Sequence, residues 1–170
     1  MNLRVMSNSS TSTEKSTKKI QLYSPVAGHL IHLEKVNDDV FSQKMLGDGF
    51  AVRPIETEIF APIGGKVATL MEESKHAIII KSTDGAEMLV HMGLDTVTLK
   101  GKPFEIKVSL GDTVEPGQEI AIMNLDKIKE THKDPTVIVT ATNMDKVAEV
   151  SDFEEKTVEP GEPVMSMLIK

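Results

Sequence analysis

Two histidines near the middle of the chain, His76 and His91, are the side chains whose type and spacing best suit chemistry. They belong to two apolar runs, residues 76–81 and 87–92, and the Ser-Thr-Asp-Gly sequence between the runs is typical of a β-hairpin turn. A neutral imidazole keeps a free lone pair near neutral pH, because its unperturbed pKa is about 6.5. Two neighbouring imidazoles can therefore supply a nucleophile for phosphoryl transfer and an N–H donor for the phosphoryl oxygens.

Two hairpin registers would bring these histidines together. With a four-residue loop, His76 pairs directly with His91, and their Cβ atoms lie about 5 Å apart. With a two-residue turn, Ile78 pairs with His91 and His76 lies on the diagonal. Both registers put the imidazoles on one face, because side chains alternate along a strand. Ser74, two residues before His76, could fix the tautomer of that imidazole through a hydrogen bond.

The second run also indicates which face carries the nucleophile. Met88, Val90 and Met92 form an alternating apolar set that we expect to face the core. His91 then points outward with Leu89, and an outward histidine among apolar neighbours could lie in a shallow, dry depression.

The elements around the histidines predict an all-β fold. Short runs rich in Val, Ile and Thr are separated by Gly, Pro and Asp clusters, and nothing indicates alternating βαβ units. Strands are predicted at residues 20–23, 29–33, 50–53, 66–71, 76–81, 87–92, 119–124, 136–140 and 164–169, with short helical turns at 40–46 and 125–133. We therefore expect an antiparallel β-sandwich or barrel-like domain.

Two internal echoes predict pseudo-symmetry within that domain. Residues 24–33 match residues 61–70 position by position, and residues 114–120 recur at 158–164. Each unit is a Pro/Gly turn that leads into a strand. Two different units, each used twice, favour a pseudo-symmetric sandwich over a solenoid, which needs three or more similar units.

The charge and composition of the chain argue against several classes of function. The net charge of −7 argues against binding to nucleic acid or to an anionic membrane surface by charge alone. No apolar run reaches the roughly 20 residues that cross a bilayer, and the N-terminus lacks a signal peptide core. We expect a flexible segment at residues 1–19, one domain at 20–170, a cytoplasmic location and a monomer. The absence of cysteine excludes disulfides and thiolate sites within this sequence.

Residues 89–101, with the sequence LVHMGLDTVTLKG, resemble the glucose-type enzyme IIA family of the bacterial phosphoenolpyruvate-dependent sugar phosphotransferase system. Supporting stretches lie at residues 40–51, 62–67, 74–77, 108–114 and 142–145, so the resemblance covers roughly residues 20–170.

The resemblance implies a phosphocarrier. His91 would accept a phosphoryl group at Nε2 from the phosphohistidine of HPr and pass it to a cysteine of a IIB domain during sugar uptake. His76 would donate a hydrogen bond to the phosphoryl group, and the Ser74 hydroxyl would orient His76. No cofactor and no metal ion are implied.

The resemblance also implies a docking face for the partner proteins. Asp95 would lie at its rim beside Gly93. The family often lines this depression with phenylalanine, and the corresponding apolar positions are expected to be Met71, Ile78, Leu89 and Met92.

Three alternatives remain open on the sequence alone. A biotinyl or lipoyl carrier is suggested by the turn at residues 111–118, but the modified lysine motif is missing from the segment that follows. A zinc hydrolase would use His76 and His91, but it needs about three protein ligands, and Asp95 is the only nearby candidate for the third. A regulatory binding module would leave His91 unphosphorylated.

Overall fold

The computed structural model describes residues 17–170 and shows a chain built mainly of antiparallel strands. Residues 1–16, which make up most of the segment expected to be flexible, lie outside the described residues. The strands are β1 Lys18–Tyr23, β2 Gly28–Ile31, β3 Gly49–Pro54, β4 Glu58–Phe60, β5 Gly65–Leu70, β6 Ala77–Lys81, β7 Glu87–Leu94, β8 Phe104–Ile106, β9 Thr113–Val114, β10 Glu119–Met123, β11 Asp134–Ala141, β12 Val147–Val150, β13 Thr157–Val158 and β14 Pro163–Ile169.

The helical elements are short. They are α1 Asp39–Ser42, α2 Leu125–Glu130 and 3₁₀ turns at Leu33–Lys35, Thr96–Leu99 and Met144–Lys146. Asp38 caps α1 by accepting a hydrogen bond from the Val40 N–H, and Asn124 caps α2 in the same way through the Lys127 N–H. Within residues 17–170, no helix is long and apolar enough to cross a membrane.

The strands form one large and two small sheets. The large sheet has the order β13-β2-β3-β11-β7-β6-β5-β9, and the small sheets have the orders β1-β14-β12 and β4-β10-β8. All strand pairs in the described residues are antiparallel. The main core is formed by apolar side chains of all three sheets. The expected antiparallel β-sandwich class is confirmed.

The two sequence echoes occupy equivalent places at opposite ends of the large sheet. At one end β2 pairs with β13, and at the other β5 pairs with β9. The Gly161 N–H donates to the Ser24 carbonyl at 3.0 Å, and the Gly117 N–H donates to the Ala61 carbonyl at 2.9 Å. Because these pairs are equivalent positions of the echoes, the expected internal pseudo-symmetry is confirmed.

A second apolar cluster lies apart from the main core. It is formed by Ile31, Leu33, Val36, Phe41, Ala51, Ala77, Leu89, Leu94 and Ile138. Its strand residues alternate with the strand residues of the main core, so this cluster covers the other face of the large sheet. The segment that contains α1 contributes Leu33, Val36 and Phe41 to it.

The hairpin of β6 and β7 differs from both registers expected from the sequence. Its loop contains five residues and is closed by a hydrogen bond from the Ser82 N–H to the Ala86 carbonyl at 2.8 Å. The Ser82 hydroxyl also accepts a hydrogen bond from the Ala86 N–H at 3.1 Å. As a result Ala77 lies opposite His91, and each expected register is wrong by one residue.

Candidate functional site

His91 lies near the end of β7, where a tight turn follows the strand. Gly93 has a φ of +84°, and Asp95 has a φ of +62° at the start of the 3₁₀ turn Thr96–Leu99. The buried Thr96 hydroxyl donates to the Met92 carbonyl at 2.6 Å and so ties the turn to the strand. Only glycine fits at position 93, because a Cβ there would lie 2.5 Å from Thr96 Cγ2.

His76 reaches His91 from just outside the neighbouring strand. It precedes β6 by one residue and follows Lys75, which has a φ of +55°. The direction of its side chain therefore does not follow the alternation of side chains along the strand. Its carbonyl accepts a hydrogen bond from the Met92 N–H at 2.7 Å. The two imidazole rings meet edge to face, with centroids 4.8 Å apart and an angle of 85° between the ring planes. The structure therefore brings the two histidines together as expected, although by a different route.

Ser74 also lies where the sequence suggested. Its Oγ is 2.7 Å from Nδ1 of His76, a normal hydrogen-bonding distance. If the hydroxyl donates to Nδ1, the ring proton of His76 resides on Nε2. His76 itself is buried, and this burial lowers its pKa. The imidazole is thus held in place and kept neutral at neutral pH.

The ring of His91 is partly enclosed by its neighbours. Nδ1 is buried and forms no hydrogen bond of normal geometry within residues 17–170, whereas the His91 side chain as a whole is only partly buried. Burial, together with repulsion by His76, lowers the pKa of His91 to about 4, although the Gly93 backbone and the Asp38 carboxylate act in the opposite direction. At neutral pH His91 is therefore an uncharged imidazole with a free lone pair on one ring nitrogen.

An aromatic residue that the sequence analysis did not include in the site packs against His91. The ring of Phe41, on α1, lies 4.9 Å from the His91 ring between centroids, at an angle of 58°. Phe41 is itself buried, with 4% of its surface exposed. Its proximity could not be read from the sequence, because 50 residues separate it from His91 and no pairing pattern connects them. Phe41 thus lines the depression, where the sequence analysis expected other apolar residues.

The surroundings of His91 form an open depression of about 190 Å³. Asp38, Phe41, Asp95 and Thr96 are among the residues that line it with His91. We call the exposed apolar residues around it the apolar rim: they are Val40, Leu46, Met71 and Val97, each 39% to 51% exposed. Val40, Leu46 and Val97 line the depression, and Val97 also lines an adjoining groove together with Met71 and Ser74.

Two residues assigned to the docking face from the sequence belong to the core instead. Ile78 and Met92 have no exposed surface and pack in the main core. Met92 follows His91 along β7, so it points to the opposite face of the sheet. Neither side chain can contact a partner, and this part of the expectation was wrong.

The other four expected docking residues lie on the same side of the sheet as His91 or in the turn after it. Leu89 shares the face of His91 but is buried in the second cluster, and Gly93 is buried within the turn. Met71 is exposed on the apolar rim. Asp95 is exposed at the edge of the depression, where its carboxylate lies 3.8 Å from Lys133 Nζ.

Metal ligands are not gathered at this site. Between residues 17 and 170, no group of three or more His, Asp or Glu side chains is close enough together to hold a metal ion. The zinc-hydrolase alternative therefore finds no third ligand beside the two histidines in that part of the chain.

Comparison with known proteins gives a consistent result. A family model described as the phosphoenolpyruvate-dependent sugar phosphotransferase system, EIIA 1, matches residues 20–147. The "PTS system glucose-specific EIIA component" of Staphylococcus aureus strain COL is 41% identical over 145 residues, which cover 85% of this chain and 87% of that protein. The protein of the same name from Oceanobacillus iheyensis is 38% identical over 149 residues, covering 88% and 90% respectively.

A solved structure is similar as well. Glucose permease IIA from Mycoplasma capricolum superposes with a TM-score of 0.82 at 32% identity, and the match covers 88% of this chain and 96% of that one.

Proposed function

Because the chain belongs to the EIIA 1 family of the phosphoenolpyruvate-dependent sugar phosphotransferase system, we propose that it carries a phosphoryl group on His91. The group comes from the phosphohistidine of HPr and passes to a cysteine of a IIB domain. The observation that carries the proposal is the edge-to-face pair of His76 and His91, in which His91 lines an open depression.

The acceptance step requires a neutral imidazole. The lone pair on Nε2 of His91 attacks phosphorus, and the N–P bond of the donor breaks so that its electron pair returns to the donor imidazole. The lowered pKa of His91 keeps this lone pair available throughout the neutral range. In the onward step a thiolate attacks the same phosphorus, and the electron pair of the N–P bond returns to Nε2.

His76 stabilises the negative charge on the phosphoryl oxygens in both steps. With the Ser74 hydroxyl bonded to Nδ1, the proton on Nε2 of His76 is available to a phosphoryl oxygen on His91. Burial disfavours a positive charge on His76, so this imidazole acts as a neutral hydrogen-bond donor and not as an acid.

We assign the docking of HPr and of the IIB domain to the same surface, the one around the depression at His91. The apolar rim surrounds the depression, and contiguous exposed apolar surface is typical of an interaction site. Asp95 provides a carboxylate at its edge. This sequence contains no cysteine, so the acceptor thiol of the onward step lies outside it. The proposed relay places the chain in the cytoplasm with its donor.

The proposal is tested by intact mass spectrometry after incubation with phosphoenolpyruvate, enzyme I and HPr. We expect one phosphate adduct at neutral pH that is lost on acidification, as is typical of phosphohistidine. The His91→Ala variant should remain unmodified because the attacking nitrogen is gone. His29→Ala is the matched control, since His29 is an exposed histidine on β2, at the other end of the large sheet.

The outcomes separate the candidate functions. An adduct that persists in His91→Ala would refute the assignment of the acceptor. No adduct on the wild-type chain, while HPr itself is phosphorylated, would favour the regulatory binding module.

A further inference from the structure

A second cavity, separate from the histidine site, lies between the 3₁₀ turn Thr96–Leu99 and α2. It has a volume of about 580 Å³ and is larger than the depression at His91. Neither His76 nor His91 lines it. A volume of this size is ordinary for a small-molecule site.

The cavity concentrates positive charge on an acidic protein. Lys100, Lys102 and Lys127 line it, although the chain carries a net charge of −7. Among residues 17–170 none of the three forms an ion pair, and Glu130 is the one carboxylate in the lining. Three ammonium groups around one space repel each other, and an anion placed between them relieves this repulsion.

The backbone that carries two of these lysines is fixed. Lys100 has a φ of +55°, and the Lys102 N–H donates to the Leu99 carbonyl at 3.2 Å. Gly101 is packed so closely that a Cβ there would lie 2.5 Å from the Glu73 carbonyl oxygen. The backbone at the two lysines is therefore preorganised, so that binding has to order only their side chains.

Two hydroxyl groups in the lining already donate their protons to backbone carbonyls. The Thr98 hydroxyl donates to the Asp95 carbonyl at 3.0 Å, and the Thr131 hydroxyl donates to the Ile128 carbonyl at 2.6 Å. Their remaining lone pairs can only accept. They suit a ligand that has hydroxyl donors of its own, which an inorganic anion lacks.

The rest of the lining is apolar. Leu99 and Pro103 contribute to the wall, and apolar surface of this kind packs against the C–H face of a sugar ring. Lysine ammonium groups, hydroxyl acceptors and an apolar patch together match one ligand class. We propose that this cavity binds a sugar phosphate, with the phosphate held by Lys100, Lys102 and Lys127 and the sugar hydroxyls by Thr98 and Thr131.

The proposal is tested by heteronuclear NMR titration of the full chain with glucose 6-phosphate, glucose and inorganic phosphate at constant ionic strength. Glucose 6-phosphate should shift the amide signals of residues 98–102 and 127–131 in a saturable manner. Inorganic phosphate should bind the same residues about tenfold more weakly, because it lacks the sugar contacts. Glucose alone should give no saturable shift.

Paired variants test the role of charge. The double variant Lys100→Gln and Lys127→Gln should raise the Kd for glucose 6-phosphate about tenfold or more. The control, Lys66→Gln with Lys146→Gln, changes the net charge equally at exposed positions outside the cavity and should leave the Kd unchanged. The amide spectrum of each variant reports whether it is folded.

Three results would overturn the proposal. They are the absence of saturable shifts at residues 98–102 and 127–131, equal affinity for inorganic phosphate and glucose 6-phosphate, and equal weakening in both double variants. Phosphate acceptance by His91 is measured in the same samples, so a failure of the proposed relay is distinguished from a failure of this cavity.

Discussion

At the residue scale, the same nitrogen of the two histidines has different surroundings. Nδ1 of His76 is engaged by Ser74, whereas Nδ1 of His91 is buried and forms no hydrogen bond of normal geometry within residues 17–170. The same side chain type is thus prepared for two roles by its surroundings. A donor that is held in place contributes mainly when charge develops on the transferring group.

This asymmetry predicts the behaviour of His76→Gln. The variant should still accept phosphate, because the nucleophile is intact and the donor is itself a reactive phosphohistidine. Transfer to the IIB cysteine should slow about a hundredfold, since one donor to the phosphoryl oxygens is misplaced. Single-turnover transfer from purified phosphorylated protein measures this step. Ser74→Ala should show a smaller loss in the same assay, and an unchanged transfer rate in both variants would make His76 a bystander.

The burial of His91 predicts its titration. Since burial lowers its pKa to about 4, the folded state does not bind a proton that the unfolded chain takes up near pH 6.5. His91 therefore contributes stability that is present above pH 6.5 and is lost as the pH falls toward 4. An imidazole ¹⁵N NMR titration should place the midpoint of His91 at a pKa of about 4, well below that of an ordinary histidine. A midpoint near 6.5 would contradict the enclosure of the ring by Phe41 and His76.

At the element scale, the turn after β7 determines where His91 is held. Gly93 combines a φ of +84° with close packing against Thr96 and the Asp134 carbonyl oxygen. Gly85, in the loop of the same hairpin, has a similar φ of +97°, but a Cβ added there would meet no atom within 4 Å. Alanine substitutions at these two glycines therefore distinguish the cost of backbone strain from the cost of a steric clash.

We expect Gly93→Ala to lower the free energy of unfolding by about 2–3 kcal/mol, because strain and a clash add together. Gly85→Ala carries the strain alone and should cost about 1 kcal/mol. Urea denaturation measures both values. Phosphate acceptance should fall only in Gly93→Ala, since that turn follows the nucleophile by two residues. Equal losses of stability in the two variants would show that the contact with Thr96 is not restrictive.

The sequence anticipated long strands better than short ones. Each of the nine predicted strands overlaps an observed strand, because apolar alternation and Pro/Gly boundaries are clear there. The strands β4, β8, β9, β12 and β13 were not predicted, since two to four residues are too few to display alternation. Residue 33 was assigned to a strand but begins a 3₁₀ turn, in which the Val36 N–H bonds to the Leu33 carbonyl.

The errors in the predicted site have a related cause. The hairpin register depended on loop length, and the five-residue loop is stabilised by the Ser82 side chain, which no turn rule specified. Ile78 and Met92 were placed by resemblance to a family pattern, whereas alternation along β7 by itself puts Met92 opposite His91. Phe41 was missed because tertiary packing alone brings it to the histidines.

At the scale of the whole molecule, the segment after β2 is joined to residues 152–155, near the end of the large sheet that β2 and β13 form. His32 follows β2 and stacks on Phe153 with ring centroids 4.3 Å apart. Its Nε2 is 3.3 Å from Asp152 Oδ1, and its Nδ1 is 3.2 Å from Glu155 Oε2. Lys35 pairs with the other oxygen of Glu155. About 120 residues of chain separate the two sides of this cluster.

The titration of His32 should run opposite to that of His91. Partial burial lowers the pKa of His32, but the hydrogen bonds to Asp152 and Glu155 outweigh this effect and leave the pKa raised. Proton binding then favours the folded state, so the stabilisation is fully present below pH 6.5 and is lost as the pH rises through the raised pKa. The carboxylates remain charged across this window, since their own pKa values are lowered.

We therefore expect the stability difference between wild type and His32→Gln to be larger at pH 5.5 than at pH 8.5. The change should stay below about 1 kcal/mol, because the cluster is partly exposed and screened by solvent. Urea denaturation at both pH values measures this difference in the free energy of unfolding. The contribution from the titration of His91 cancels in the difference, because both proteins contain His91. His29→Gln is the matched control, since His29 is an exposed histidine on β2, three residues before His32, and forms no ion pair among residues 17–170. A difference that is independent of pH, or one that grows toward pH 8.5, would mean that the link between the two ends of the chain depends on packing against Phe153 and not on the charge of His32.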